Sequence, residues 1–133
     1  MPNNFTFSHH PGSLHIPLKE LSLPAEATIS PKWPRVRKKW LQEHPNCAIC
    51  GTNISLNVHH IKPFHLFPEL ELDPNNFITL CEGKVHTCHY VYAHMYNWEM
   101  FNPTIKEDAV IWSQKFADAR AVLANEQTKK QYE

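Results

Sequence analysis

Apolar positions recur at helical spacing in three stretches of this chain and at strand spacing in two, and their order sketches a fold. Val36, Trp40 and Leu41 fall on one face behind Pro34, which predicts a short helix over 34–44 that His44-Pro45 stops. Asn53 to His60 alternates loosely and ends in Val-His-His-Ile, predicting a strand whose neighbouring histidines face opposite ways. Residues 62–76 form a long connection containing Pro63, Pro68 and Pro74, and Phe77-Ile78-Thr79-Leu80 reads as the returning strand. Thr87 is placed to cap a helix over about 88–98, with Tyr92 and Tyr96 at i, i+4 on one side and Val91, Met95 and Trp98 on another. After Asn102-Pro103, the run Thr104-Ile-Lys-Glu107 has the form of a capping box. Trp112, Phe116, Ala119 and Leu123 are then spaced as the buried stripe of a last helix over about 105–126. Strand, strand, helix, with one helix before and one after, is an α+β arrangement. Ahead of it, residues 1–31 carry Pro2, Pro11, Pro17, Pro24 and Pro31 without periodicity and read as an irregular arm; behind it, 127–133 reads as a polar tail.

At 133 residues and 42% hydrophobic, the chain is long enough for one domain with a modest core, placed at 32–126. It has no basic-then-apolar leader and no apolar run near the ~18 residues a membrane span needs, so a cytoplasmic protein with no membrane partner is expected. In a reducing compartment, four cysteines in paired spacing point to metal ligation rather than disulfides. Formal net charge is zero, which weighs against a nucleic-acid partner until its distribution is read. Residues 1–66 hold seven Lys and Arg against three acids, and residues 67–133 six against ten, so the halves differ in sign. Lys32, Arg35, Arg37, Lys38 and Lys39 form the one dense basic run. Arg35, Lys38 and Lys39 on the first helix, and Lys62 after the first strand, are candidate phosphate contacts; equally, such a run can simply solvate a helix face.

Cys47-Ala-Ile-Cys50-Gly51 is a knuckle that aims two thiolates at one ion, and Cys81 and Cys88 follow about thirty residues later, the separation of a four-thiolate structural Zn²⁺ site. With three glycines in the whole chain and a short hairpin, the core is thin, and bound zinc would supply folding free energy that packing does not. The six residues Glu82 to Thr87 between Cys81 and Cys88 leave a second ligand set open, in which His86 replaces Cys88. Between the cysteine pairs sit Val58-His59-His60 and Asn76, with His89 directly after Cys88. Asn76 can also be a turn residue after Pro74. His9, His10 and His15 read as solvated polar residues of the arm.

Taken together, Cys-x2-Cys, His-His-Ile-x-Pro, Pro-Asn-Asn-Phe-Ile-x-Leu-Cys and Cys-His, in this order, resemble the HNH endonuclease family over about residues 33–103. The resemblance implies a ββα-metal (His-Me finger) core with zinc knuckles at about 54–100, flanked by the N-terminal and C-terminal helices. It implies a metal-dependent DNA endonuclease that hydrolyses phosphodiester bonds. His59 and His89 would hold one catalytic divalent ion (Mg²⁺, Mn²⁺, Ni²⁺ or Zn²⁺), His60 would act as general base, and Asn76 would hold the loop and orient that base. The family's further ligand sits four residues after the helix histidine, but here that position is Ala93. His94 lies about 140° around an α-helix from His89, so only a local distortion would bring it in. His65 and His86 are weaker ligand candidates. Small members occur beside phage packaging genes, which makes a terminase or another protein a conceivable partner. The alternative is a non-catalytic zinc module binding nucleic acid or protein, and that reading leaves His59, His60 and His89 without a reason to converge.

Overall fold

The computed structural model describes residues 28–84 and 86–133; the arm up to residue 27, including His9, His10 and His15, lies outside the described residues. The first helix, α1, runs Trp33–Glu43 with Pro34 in its first turn. Two strands follow, β1 Leu56–His60 and β2 Phe77–Cys81, paired antiparallel with Leu56 opposite Cys81, Val58 opposite Thr79 and His60 opposite Phe77. Each begins or ends within a few residues of its sequence-predicted position.

Every residue of β2 is buried, because the hairpin is covered on both faces. On one face α1 lies with Trp33 and Trp40 edge-on to Phe77, at 5.5 and 5.4 Å between ring centroids. The Trp40 indole donates to Thr79 Oγ1, which in turn donates to the His44 carbonyl, so the helix end is tied to the strand by two bonds of 2.9 Å. The other face carries Ile78 and Leu80 into a core shared with Ile49, Ile61, Ala93, Ile105, Ala109 and three of the four cysteines. Asn76 closes the open end of the hairpin: its carbonyl accepts the Ile61 amide, its Oδ1 accepts the Lys62 amide and its Nδ2 donates to the Lys62 carbonyl.

The helix expected over 88–98 is instead a five-residue π-helix, His89–Ala93, and Thr87 makes no side-chain cap. Its signature is the His94 amide donating to the His89 carbonyl, five residues back, at 3.2 Å. Met95 and Tyr96 then adopt left-handed backbone (φ 53° and 65°), which ends it. Consequently Tyr96 pairs with Tyr90 rather than with Tyr92, and Tyr92 packs on Trp112.

Helix α2, Ile105–Ala124, starts where predicted but not by the predicted capping box. Asn102, buried, accepts from both the amide and the hydroxyl of Thr104 and donates to Asp108 and to the Tyr92 carbonyl, stapling α2 to the π-helix. The predicted stripe is mostly exposed: Phe116 is half-buried, Trp112 is 38% and Leu123 67% exposed, and Ala119 is exposed, whereas the enclosed positions of the helix are Ile105 and Ala109, ahead of it. Twenty residues of α-helix span about 30 Å, far longer than the five-residue strands beneath, so among the described residues the outer turns have little to rest on. Arg120 still reaches back to donate to the Cys50 carbonyl at 3.2 Å. The expected polar tail includes a short helix, α3, Glu126–Lys130. Among the described residues no helix is long and apolar enough to cross a membrane.

Candidate metal centres

The zinc knuckle is built by backbone. The Cys47 amide donates to the Thr52 carbonyl and the Gly51 amide to the Cys47 carbonyl; Gly51 sits at φ 82°, where a β-carbon would be strained. The Ala48 amide bonds the Thr79 carbonyl and so fixes the knuckle on the edge of β2. Cys47, Cys50, Cys81 and Cys88 then bring their sulfurs within 4.8 Å of one another, all four as free thiols. His86 is exposed and outside this group, so the ligand set with His86 in place of Cys88 is not the one formed. A hydrogen bond with Cys88 holds the Cys47 thiol down to about 4, while that bond and burial push Cys88 up. Burial raises Cys81 to about 11. One thiolate is thus favoured and further ones are opposed, which is the charge problem a divalent ion resolves. Four sulfurs at this separation can hold a structural zinc.

A second cluster lies on the other side of Cys88. His59, His89 and His94 present ring nitrogens within 4.8 Å of one another. The π-helix explains why His94 belongs to it: a turn closed at i→i+5 sets residue 94 nearly above residue 89, where an α-turn would have swung it away. Each ring is fixed from outside. His89 Nδ1 donates to Glu82 Oε1 at 2.6 Å, and His94 Nδ1 donates to the Met100 carbonyl at 2.7 Å, which leaves Nε2 of both rings with a lone pair. His59 Nδ1 lies 3.0 Å from His89 Nε2, whereas His59 Nε2 is buried without a partner, the only such side-chain atom among the described residues. A buried, unsatisfied imidazole nitrogen costs free energy unless something binds there. Burial, reinforced by the neighbouring histidines, drives the His59 pKa down to about 2, and burial also lowers that of His94. Three imidazoles converging on one point, two of them disfavoured as cations by burial, fit a divalent cation of the imidazole-binding class. Trp98, half-exposed, walls the cluster with its ring 4.7 Å from His94 and 5.3 Å from His89.

His60 is not part of this cluster. As the last residue of β1 it faces the α1 side, its ring 4.6 Å from Trp33 and 5.4 Å from Phe77. Its Nε2 donates to the Glu71 carbonyl at 2.9 Å, leaving Nδ1 as the basic nitrogen. A cleft of about 220 Å³ lined by Trp33, Arg37, His60, Phe64 and Glu71 opens beside it. Asn76 does hold this loop: besides clamping Lys62 it reaches the Leu70 carbonyl at 3.4 Å, so it ties down the segments on both sides of the His60 contact. Asn75 is exposed, its amide bonded to Asp73. A larger cleft of about 420 Å³, lined by Trp40, His44, Pro45 and Lys106, includes no residue of either cluster.

Arg35, Lys38, Lys39 and Lys62 are all exposed; Lys39 pairs with Glu43 at 3.5 Å and Lys62 lies over Phe67. His65 is exposed and apart from both clusters. The sequence reading missed Glu82, whose only mark is that it follows a zinc cysteine as His89 does, and Trp98, which it placed on an apolar helix face. Burial pushes the Glu82 carboxyl up, but hydrogen bonds from Asn57 and His89 outweigh it and leave the group below its ordinary value.

Comparison with curated proteins and with solved structures gives no match. Comparison with family models does: the HNH endonuclease model matches residues 47–91, from the first zinc-knuckle cysteine to just past His89. Thiolate knuckle, two-stranded hairpin and facing histidines all fall within that span or abut it, so over residues 47–91 the chain is similar to HNH endonuclease domains.

Proposed function

We propose that the protein is a metal-dependent endonuclease that hydrolyses phosphodiester bonds in DNA. The observation that carries this reading is the orphaned Nε2 of His59 within a cluster of three histidines, next to but separate from a four-cysteine cluster that could itself hold a structural zinc. A purely structural zinc module has no use for that second cluster.

His59, His89 and His94 would hold one divalent ion, which supplies charge stabilisation at the scissile phosphate and the departing 3′ oxygen. The rest is the chain's own work. His60 Nδ1 takes a proton from the attacking water, whose oxygen bonds phosphorus as the bond to the 3′ oxygen breaks. The Glu71 carbonyl keeps the opposite ring nitrogen protonated, and Asn76 keeps that carbonyl in place. Neighbours on a strand face opposite sides, so His59 and His60 can serve one phosphate only where the strand ends, and His60 is that end. Arg35, Lys38, Lys39 and Lys62 supply exposed positive charge for the DNA backbone.

The test is cleavage of supercoiled plasmid by zinc-loaded protein with added Mg²⁺, Mn²⁺ or Ni²⁺, with EDTA as control. Nicking that needs the added ion is the expected result. Protein that demonstrably binds the second ion but leaves plasmid and linear DNA intact would instead be a non-catalytic zinc module.

A further inference from the structure

We infer that Glu82 is a positioning residue for the histidine centre, selecting the ring tautomer of His89 that can bind a cation. The inference rests on the nuclease reading only in taking that centre to be a divalent-ion site.

Glu82 and His89 occupy equivalent places in the chain, each one residue after a zinc-centre cysteine: Cys81-Glu82 and Cys88-His89. The six residues between the cysteines close into a loop in which the Gly83 amide bonds the His86 carbonyl and the Cys88 amide donates to Cys81 Sγ. The loop therefore returns the chain to its start, and Glu82 meets His89. Glu82 is held independently of the contact it makes: its amide donates to the Ser55 carbonyl at 2.7 Å and its Oε1 accepts from Asn57 Nδ2 at 2.8 Å. That same oxygen lies 2.6 Å from His89 Nδ1.

An ionised carboxylate only accepts, so the proton of His89 must reside on Nδ1 and the lone pair on Nε2, which points at His59 Nδ1 3.0 Å away. Remove the carboxylate and nothing fixes the proton; the Nε2–H tautomer then presents a hydrogen where a cation needs a lone pair. Carboxylates behind metal-ligating histidines are commonly worth 10–100-fold in metal affinity. The Glu82 side chain is 45% exposed, so water competes for the bond and the effect belongs at the lower end, about tenfold.

The experiment uses the full-length, zinc-loaded protein, calorimetric titration with Ni²⁺, and long-range ¹H–¹⁵N spectra of the histidine rings taken before Ni²⁺ is added. In the wild type His89 should show a pyrrole-type Nδ1 and a pyridine-type Nε2. Glu82→Ala should lose that pattern and bind Ni²⁺ about tenfold more weakly, with zinc content and circular dichroism unchanged. Glu82→Gln, whose carbonyl can still accept, should fall between; if Glu82→Ala fails to retain zinc, this isosteric change carries the comparison. Wild-type Ni²⁺ affinity and an unchanged His89 tautomer in the Glu82 variants, beside a large loss in His89→Ala, overturn the positioning role and leave the histidine centre standing. Unchanged affinity in all variants overturns the centre, and the inference with it.

Discussion

His59 is a neutral ring enclosed by its own kind, and its titration should register in stability. Its pKa is about 2 in the fold against 6.5 when unperturbed. Across that window the unfolded chain binds a proton at this residue that the folded chain refuses, so stability falls as pH falls, by at most about 1.4 kcal/mol per pH unit for one proton. Glu82, held below its usual value, adds a loss of the same sign at lower pH. Urea unfolding of zinc-loaded protein lacking the second ion, followed from pH 7.5 to 5.5, should show the decline, and His59→Asn should make it shallower, leaving the smaller contribution of His94. His60 makes a different prediction, since it touches none of the three clustered rings. His60→Ala should retain zinc, second-ion binding and DNA affinity while nicking falls by ~10²–10⁴; His59→Ala should lose ion binding and nicking together. Wild-type nicking by His60→Ala would remove it from the chemistry. The cysteines, His59, His89 and Asn76 were legible because spacing and residue type narrow what such groups can do. Glu82 was not, since a lone acid in a loop has no pattern until its partner's position is known.

At the level of elements, α1 and the hairpin were legible to within a few residues, because Pro34, Pro45 and the β-branched runs fix their ends locally. The π-helix was not: over five residues its apolar pattern cannot be told from that of an α-helix, and only its hydrogen bonds show the extra residue. That residue is what seats His94. Deleting Val91, which is half-buried and between the two ligand positions, should let the segment close as an α-turn with the histidines four apart. Ni²⁺ affinity within about tenfold of wild type, that is within about 1.4 kcal/mol, is the expected calorimetric result; complete loss would mean the site depends on π geometry itself. The stripe on α2 shows the converse limit, for periodicity reveals which face could be buried but not whether a core exists to bury it. Ala119 and Leu123 lie on the expected face and remain in solvent.

At the scale of the molecule, few side chains among the described residues are fully enclosed. Phe77, Ile49, Leu80, Ile105 and Cys81 are the largest of them, and three of the four cysteines are counted within the core itself. Cys47→Ser should therefore release about one zinc per chain and unfold or aggregate the protein, visible by circular dichroism and zinc release; a folded variant with full zinc content would refute the four-thiolate assignment. Because Glu82 and His89 each follow a cysteine of the four-thiolate cluster, the proposed phosphodiester chemistry also inherits the redox fate of the sulfurs. Cys50 is the most accessible of the four, and its sulfur lies 3.7 Å from that of Cys81. Hydrogen peroxide that converts this pair to a disulfide is itself reduced to water and would expel a bound zinc, and it would thereby disarm the proposed nuclease without touching any of its proposed catalytic groups. Nicking should fade in step with zinc release during peroxide treatment, and should return when thiol reductant and zinc are supplied together but not when either is supplied alone.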